Sequence, residues 1–115
     1  MVPRVLYVDD SPLARAAARR LLVARGFEVV VAGSAAEAQA IDPAPLRGAL
    51  LDLEVGDDSG TAIAEALRTA RPELPVAFLT SAEEASLLER ARGLGPVFSK
   101  ANETDRAVAW LSDLP

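Results

Sequence analysis

At 115 residues, half of them hydrophobic, the chain can bury one core but leaves no room for a second catalytic domain. It has no cysteine and no histidine, which removes thiol nucleophiles, disulfides, Ser-His-Asp triads and most zinc and copper sites and leaves carboxylates, hydroxyls and amines as the available chemistry. The net charge of −5 argues against direct nucleic-acid binding. No apolar stretch is long enough to span a bilayer and no signal-peptide pattern precedes the first strand, so a cytoplasmic location is expected.

In chain order, the apolar run Val5 to Val8 reads as a strand closed by Asp9 and Asp10. Ser11-Pro12 supplies an N-cap and a first-turn proline for a helix that reaches Arg25 and stops at Gly26. Its arginines Arg15, Arg19, Arg20 and Arg25 read as a solvated face. Phe27 to Ala32 is a second strand, and Ser34-Ala35-Ala36-Glu37 has the capping-box spacing of a second helix, stopped by Pro43 and Pro45. Ala49 to Leu53 is a third strand carrying Asp52, followed by a polar loop from Glu54 to Gly60 in which Asp57, Asp58 and Ser59 are placed to cap a helix over Thr61 to Arg71. Val76 to Thr80 is a fourth strand. Ser81-Ala82-Glu83-Glu84 reads as a second capping box, opening a helix that Gly93 and Gly95-Pro96 end. Val97 to Lys100 is a short fifth strand, and Asn102 caps a last helix with Ala107, Trp110, Leu111 and Leu114 on one face. Tyr7 and Trp110 read as packing residues.

Five strands alternating with five helices, the strands continuously apolar, predict an α/β fold with a parallel sheet covered on both faces. In such a sheet the carboxyl ends of the strands share one edge, where ligands bind at the reversal of strand order. Asp9, Asp10, Asp52, Thr80 and Lys100 all close strands and are expected to converge there. Three close carboxylates repel one another and favour a hard cation such as Mg²⁺, so the metal-free Asp9→Ala, Asp10→Ala double variant is expected to be more heat-stable than the metal-free wild type. Thr80 and Lys100 are left to hold an anion.

These residues resemble the receiver domain of two-component response regulators. The resemblance covers the whole chain, residues 1–115, and rests on the Asp9-Asp10 pair, Asp52 with Gly60 eight residues later, Thr80-Ser81 and Lys100. It implies a flavodoxin-like, doubly wound five-stranded parallel sheet in the order 2-1-3-4-5. It also implies that Asp52 is the phosphoacceptor, that Asp10, Asp52 and the backbone carbonyl of Glu54 bind Mg²⁺ with Asp9 acting through a water, and that Thr80 and Lys100 contact the phosphoryl group. Such a domain accepts phosphate from a sensor histidine kinase or a histidine phosphotransfer protein and signals to a downstream protein target. It acts as a monomer or weak homodimer and is an enzyme only toward itself.

Four positions depart from the family pattern. Gly56 replaces a frequent proline and predicts a looser loop, and Glu54 brings an extra carboxylate near the site. Val97 stands where a Tyr or Phe usually swings. Ala101 follows Lys100 where proline is usual, which predicts a trans Lys100–Ala101 peptide and a rearranged loop. These changes keep open an alternative, a degenerate receiver that binds partners without phosphorylation. A phosphatase reading of Asp52-Leu53-Glu54 has only a short motif behind it.

Overall fold

The computed structural model describes residues 2–115. The chain runs β1 (Arg4–Val8), α1 (Pro12–Ala24), β2 (Glu28–Ala32), α2 (Ala35–Gln39), β3 (Leu46–Leu51), β4 (Glu54–Val55), β5 (Asp58–Ser59), α3 (Gly60–Ala70), β6 (Val76–Thr80), α4 (Ala85–Arg92), β7 (Val97–Ser99) and α5 (Thr104–Ser112). Five strands form one parallel sheet in the order β2-β1-β3-β6-β7, which is 2-1-3-4-5 when only the strands of that sheet are counted, as expected.

The pleat sorts the apolar runs between two cores. Leu6, Val8, Ala49, Leu51, Val76 and Phe78 pack on one face against Ile63, Ala64 and Leu67 of α3 and Ala91 of α4. Val5, Tyr7, Leu50, Ala77 and Leu79 pack on the other against Leu22 of α1 and Ala107, Val108 and Leu111 of α5. A strand buried on both faces has no polar side to alternate with, which is why these runs are continuous.

Ser11 caps α1 by accepting from the Ala14 N–H, and the chain leaves that helix at Gly26, whose φ of +93° only glycine adopts at no cost. Ser34 and Glu37 form the reciprocal cap of α2, with Glu37 Oε1 accepting from the Gly33 N–H.

Other boundaries differ from the sequence reading. The second helix stops at Gln39, well before the prolines. The fourth does not open at Ser81. Thr80 Oγ1 accepts from the Ala82 N–H, a local turn that competes with helix initiation, and α4 begins only after Glu84, whose side chain makes no cap bond to the helix backbone. Asn102 does not cap the last helix either. The Glu103 carboxylate accepts from the Ser99 N–H at 2.9 Å, which ties the loop to β7 and delays α5 to Thr104. Trp110 is half-buried at the edge of the second core.

The loop after Asp52 is not loose. Glu54–Val55 and Asp58–Ser59 pair as a tiny antiparallel hairpin, and Gly56 turns it at φ +60°, a conformation proline cannot adopt.

Candidate functional site

The sheet ladder extends past the strand ends. The Asp9 N–H bonds to Ala32 O, the Asp52 N–H to Val8 O and the Lys100 N–H to Thr80 O. These bonds set Asp9, Asp52, Thr80 and Lys100 in a row along the carboxyl edge, at the ends of β1, β3, β6 and β7.

Asp9 and Asp52 are buried, 1% and 8% exposed, and Lys100 bridges them. Its Nζ lies 2.5 Å from Asp9 Oδ2 and 2.8 Å from Asp52 Oδ2. Asp52 Oδ1 faces the backbone, accepting from the Leu53 N–H at 2.7 Å. Asp9 takes two more donors, the Ser11 N–H on Oδ1 at 3.0 Å and the Tyr7 hydroxyl on Oδ2 at 2.9 Å.

Burial by itself pushes the Asp9 carboxyl up, but hydrogen bonds from Lys100, Ser11 and Tyr7 together with the lysine charge outweigh it and hold the group below the usual carboxylate range. Burial pulls Lys100 down, and its bonds to Asp52 and Asp9 and their charges reverse that, leaving it above the ordinary lysine value. The Tyr7 phenol is pushed far up by burial, the adjacent Asp9 charge and the bond it donates.

Three carboxylates therefore do not crowd into one cluster. Among the described residues no three metal-ligating side chains are gathered together, and Asp10 turns outward to accept from the Gly56 N–H at 3.0 Å. The expectation that removing Asp9 and Asp10 relieves repulsion is reversed for Asp9, whose ionised form is favoured by three donors. Its removal leaves the Lys100 ammonium with one counter-ion and strands a buried phenol.

Thr80 is buried on the same edge, its oxygen accepting from Ala82 and its proton still available to donate. The side chain of Glu54 is exposed, while its N–H points at Asp52 Oδ1 from 3.5 Å. Gly60 gives the eight-residue spacing its reason. A Cβ there would lie 1.9 Å from Asp52 O, so only glycine lets α3 start against the Asp52 backbone.

Two contributors escaped the sequence reading. From the sequence Tyr7 reads as packing, and its ring is in the core. Its place in an apolar run hides the hydroxyl, although its position two residues before Asp9 puts both side chains on one face of the strand, a signal that could have found it. Arg15 is expected from the sequence to be solvated, yet its Nη1 donates to Asp9 O at 2.8 Å, and only Arg19, Arg20 and Arg25 of that group are exposed.

The donors available are carboxylate and carbonyl oxygens only. The oxygens of Asp52, Asp10 and the Glu54 carbonyl are of the type a small hard divalent ion that keeps several waters takes, so the chemistry of the donor set fits such a metal.

A doubly wound parallel sheet with paired aspartates and a lysine at its carboxyl edge defines an α/β module equipped to handle a phosphoryl group. The chain matches the family described as the response regulator receiver domain over residues 5–107 and belongs to that family, whose members are phosphoacceptor domains that bind a divalent metal in two-component signalling. It is 32% identical over 114 residues to the acid tolerance regulatory protein ActR of Sinorhizobium medicae (strain WSM419), covering 96% of this chain and 59% of that protein. The chain thus spans less than two thirds of that relative's length. The fold superposes with a TM-score of 0.86 on the non-phosphorylated HemR receiver domain from Leptospira biflexa, at 25% identity and 98% and 96% coverage of the two chains. A response regulator protein from Burkholderia pseudomallei, solved with a phosphorylated aspartic acid, calcium ion and citrate, has a TM-score of 0.83 at 24% identity, covering 95% of this chain and 66% of that one.

Proposed function

We propose that the whole chain, residues 1–115, is one receiver domain in which Asp52 accepts a phosphoryl group from a phosphohistidine of a sensor histidine kinase or histidine phosphotransfer protein. The observation that carries this reading is the Lys100 bridge between Asp9 and Asp52 at the point where the strand order reverses. An Asp52 carboxylate oxygen attacks phosphorus. The P–N bond breaks with its electron pair left on the imidazole nitrogen, and an acyl phosphate remains on Asp52. Water later cleaves that P–O bond, releasing inorganic phosphate and the carboxylate.

Such transfers depend on positioning and charge neutralisation more than on covalent help from the protein. Lys100 already stands 2.8 Å from Asp52 Oδ2 and passes to a phosphoryl oxygen as the negative charge moves there. The Thr80 hydroxyl and the Ser81 N–H supply further donors. Asp10, Asp52 and the Glu54 carbonyl would hold Mg²⁺, with Asp9 contributing through a water, and the ion would supply charge neutralisation for the transferred group.

The domain catalyses only its own phosphorylation and dephosphorylation. It passes the signal by contact with a downstream protein, as a cytoplasmic monomer or weak homodimer. The net charge of −5 and the absence, among the described residues, of a helix long and apolar enough to cross a membrane support partners that are neither nucleic acid nor lipid.

Incubation with acetyl phosphate and MgCl₂ followed by intact mass tests the reading. A single phosphoryl adduct in the wild type and none in Asp52→Asn is expected. An adduct that persists in Asp52→Asn, or none in the wild type with any donor, overturns it.

A further inference from the structure

Tyr7 is the only tyrosine of the chain, and it stands in the central part of the sheet with 2% of its surface exposed. Its ring packs among Val5, Leu50 and Phe98, where phenylalanine would serve as well. The hydroxyl is what phenylalanine lacks, and it donates to Asp9 Oδ2, the same oxygen that Lys100 Nζ reaches. With the Ser11 N–H on Oδ1, the Asp9 carboxylate has donors on both oxygens, so its plane is fixed. Lys100 is placed by that plane at one end and by Asp52 at the other, which makes Tyr7, Asp9, Lys100 and Asp52 one continuous chain of hydrogen bonds.

The surroundings favour a strong bond. Tyr7 and Lys100 border a largely apolar cleft of about 240 Å³, walled by Leu79 and by the small residues Ala14, Ala17 and Ala18 of α1. In a setting of low polarity a hydrogen bond to a charged acceptor gains strength, and a buried acceptor that loses a donor is left under-satisfied.

We propose that Tyr7 is a positioning residue for phosphoryl transfer, setting through Asp9 where Lys100 stands over Asp52. The inference rests on the reading of Asp52 as phosphoacceptor. By taking part of the negative charge on Asp9, the phenol weakens that carboxylate's hold on Lys100, so the ammonium is free to follow oxygen atoms arriving on Asp52. Without the hydroxyl, Lys100 is the only side-chain donor left to Asp9 and is retained there.

Two measurements on the full chain decide the matter. In the first, the time course of acetyl phosphate labelling in MgCl₂ is compared for wild type and Tyr7→Phe. The variant is expected to melt within a few degrees of wild type, with about a tenfold lower maximal rate and little change in the half-saturating acetyl phosphate concentration. Labelling at the wild-type rate, or a loss confined to the half-saturating concentration, overturns the inference while leaving Asp52 as acceptor. Failure to label the wild type on Asp52 overturns both. The second needs no substitution of Tyr7. Biosynthetic 3-fluorotyrosine reports this one residue, and its ¹⁹F resonance is expected to move on Lys100→Ala and on adding beryllofluoride with Mg²⁺. A resonance unmoved by both shows a packing role only.

Discussion

At the carboxyl edge, Asp9 is held by three donors, Lys100 by two carboxylates, and the start of α3 by a glycine pressed on the Asp52 backbone. The face built from α4, β7 and α5 is held far more lightly. β7 is three residues long, neither α4 nor α5 has a side-chain cap, and Val97 lies half-buried beside a cleft of about 110 Å³ shared with Thr80, Leu88 and Arg92. The difference separates two requirements of a phosphorylated switch. Chemistry needs groups already in place, whereas readout needs an element with two arrangements of different partner affinity. Here the groups at the carboxyl edge are already held in place, whereas Val97 offers the other face no aromatic side chain to move.

The most direct way to break the well-built region is Gly60→Ala. A Cβ 1.9 Å from Asp52 O forces backbone to move, and a loss of more than about 3 kcal/mol is expected, read as a lowered urea midpoint.

Next in size is Asp9→Asn, expected to destabilise the protein in EDTA by about 2 kcal/mol near neutral pH. The folded pKa of Asp9 is lowered, so its contribution is fully present above the unfolded value of about 3.9 and fades as pH falls through the folded value. Wild type and variant are therefore expected to converge as pH falls past the unfolded carboxylate value, and urea midpoints across pH check it. A gap that widens on acidification contradicts the lowered pKa.

Mg²⁺ affinity sharpens the contrast within the acidic pair. Asp10 spends one oxygen on Gly56 and faces solvent, whereas Asp9 is committed to Lys100, Tyr7 and Ser11. Asp10→Ala is expected to weaken binding about tenfold or more and Asp9→Asn less, because a direct ligand loses a bond and the other a water bridge. Calorimetric titration distinguishes them, and equal losses contradict the assignment.

The smallest effect concerns the lightly held face. Amide shifts on adding beryllofluoride are expected to be larger around Asp52 than across Val97 to Leu111, and Val97→Phe is expected to enlarge the latter by extending a ring into the cleft. Wide shifts over α5 in the wild type would show a working switch without the aromatic.

Asp9, Asp52, Thr80 and Lys100 were legible because each ends an apolar run, and a parallel sheet gathers strand ends at one edge whatever its loops do. Gly26, Ser11 and Ser59 were legible because caps and left-handed turns act over two or three residues. The openings of α4 and α5 are not legible, for the opposite reason. Ser81 and Asn102 are plausible caps in isolation, but Thr80 Oγ1 claims the Ala82 N–H and Glu103 reaches back to Ser99, contacts that depend on where β6 and β7 end.

The amino-acid sequence by itself determined the layer order, the strand-end chemistry and the family, because hydrophobic period and residue type carry that information locally. Only the tertiary structure decided how the acids divide their work. Asp10 turns to a hairpin that Gly56 makes possible, Arg15 leaves solvent for Asp9 O, and the Tyr7 hydroxyl joins the Lys100 bridge. Each of those bonds links side chains to groups on other elements or around a strand end, and its existence is set by ångström-scale register that no local pattern encodes.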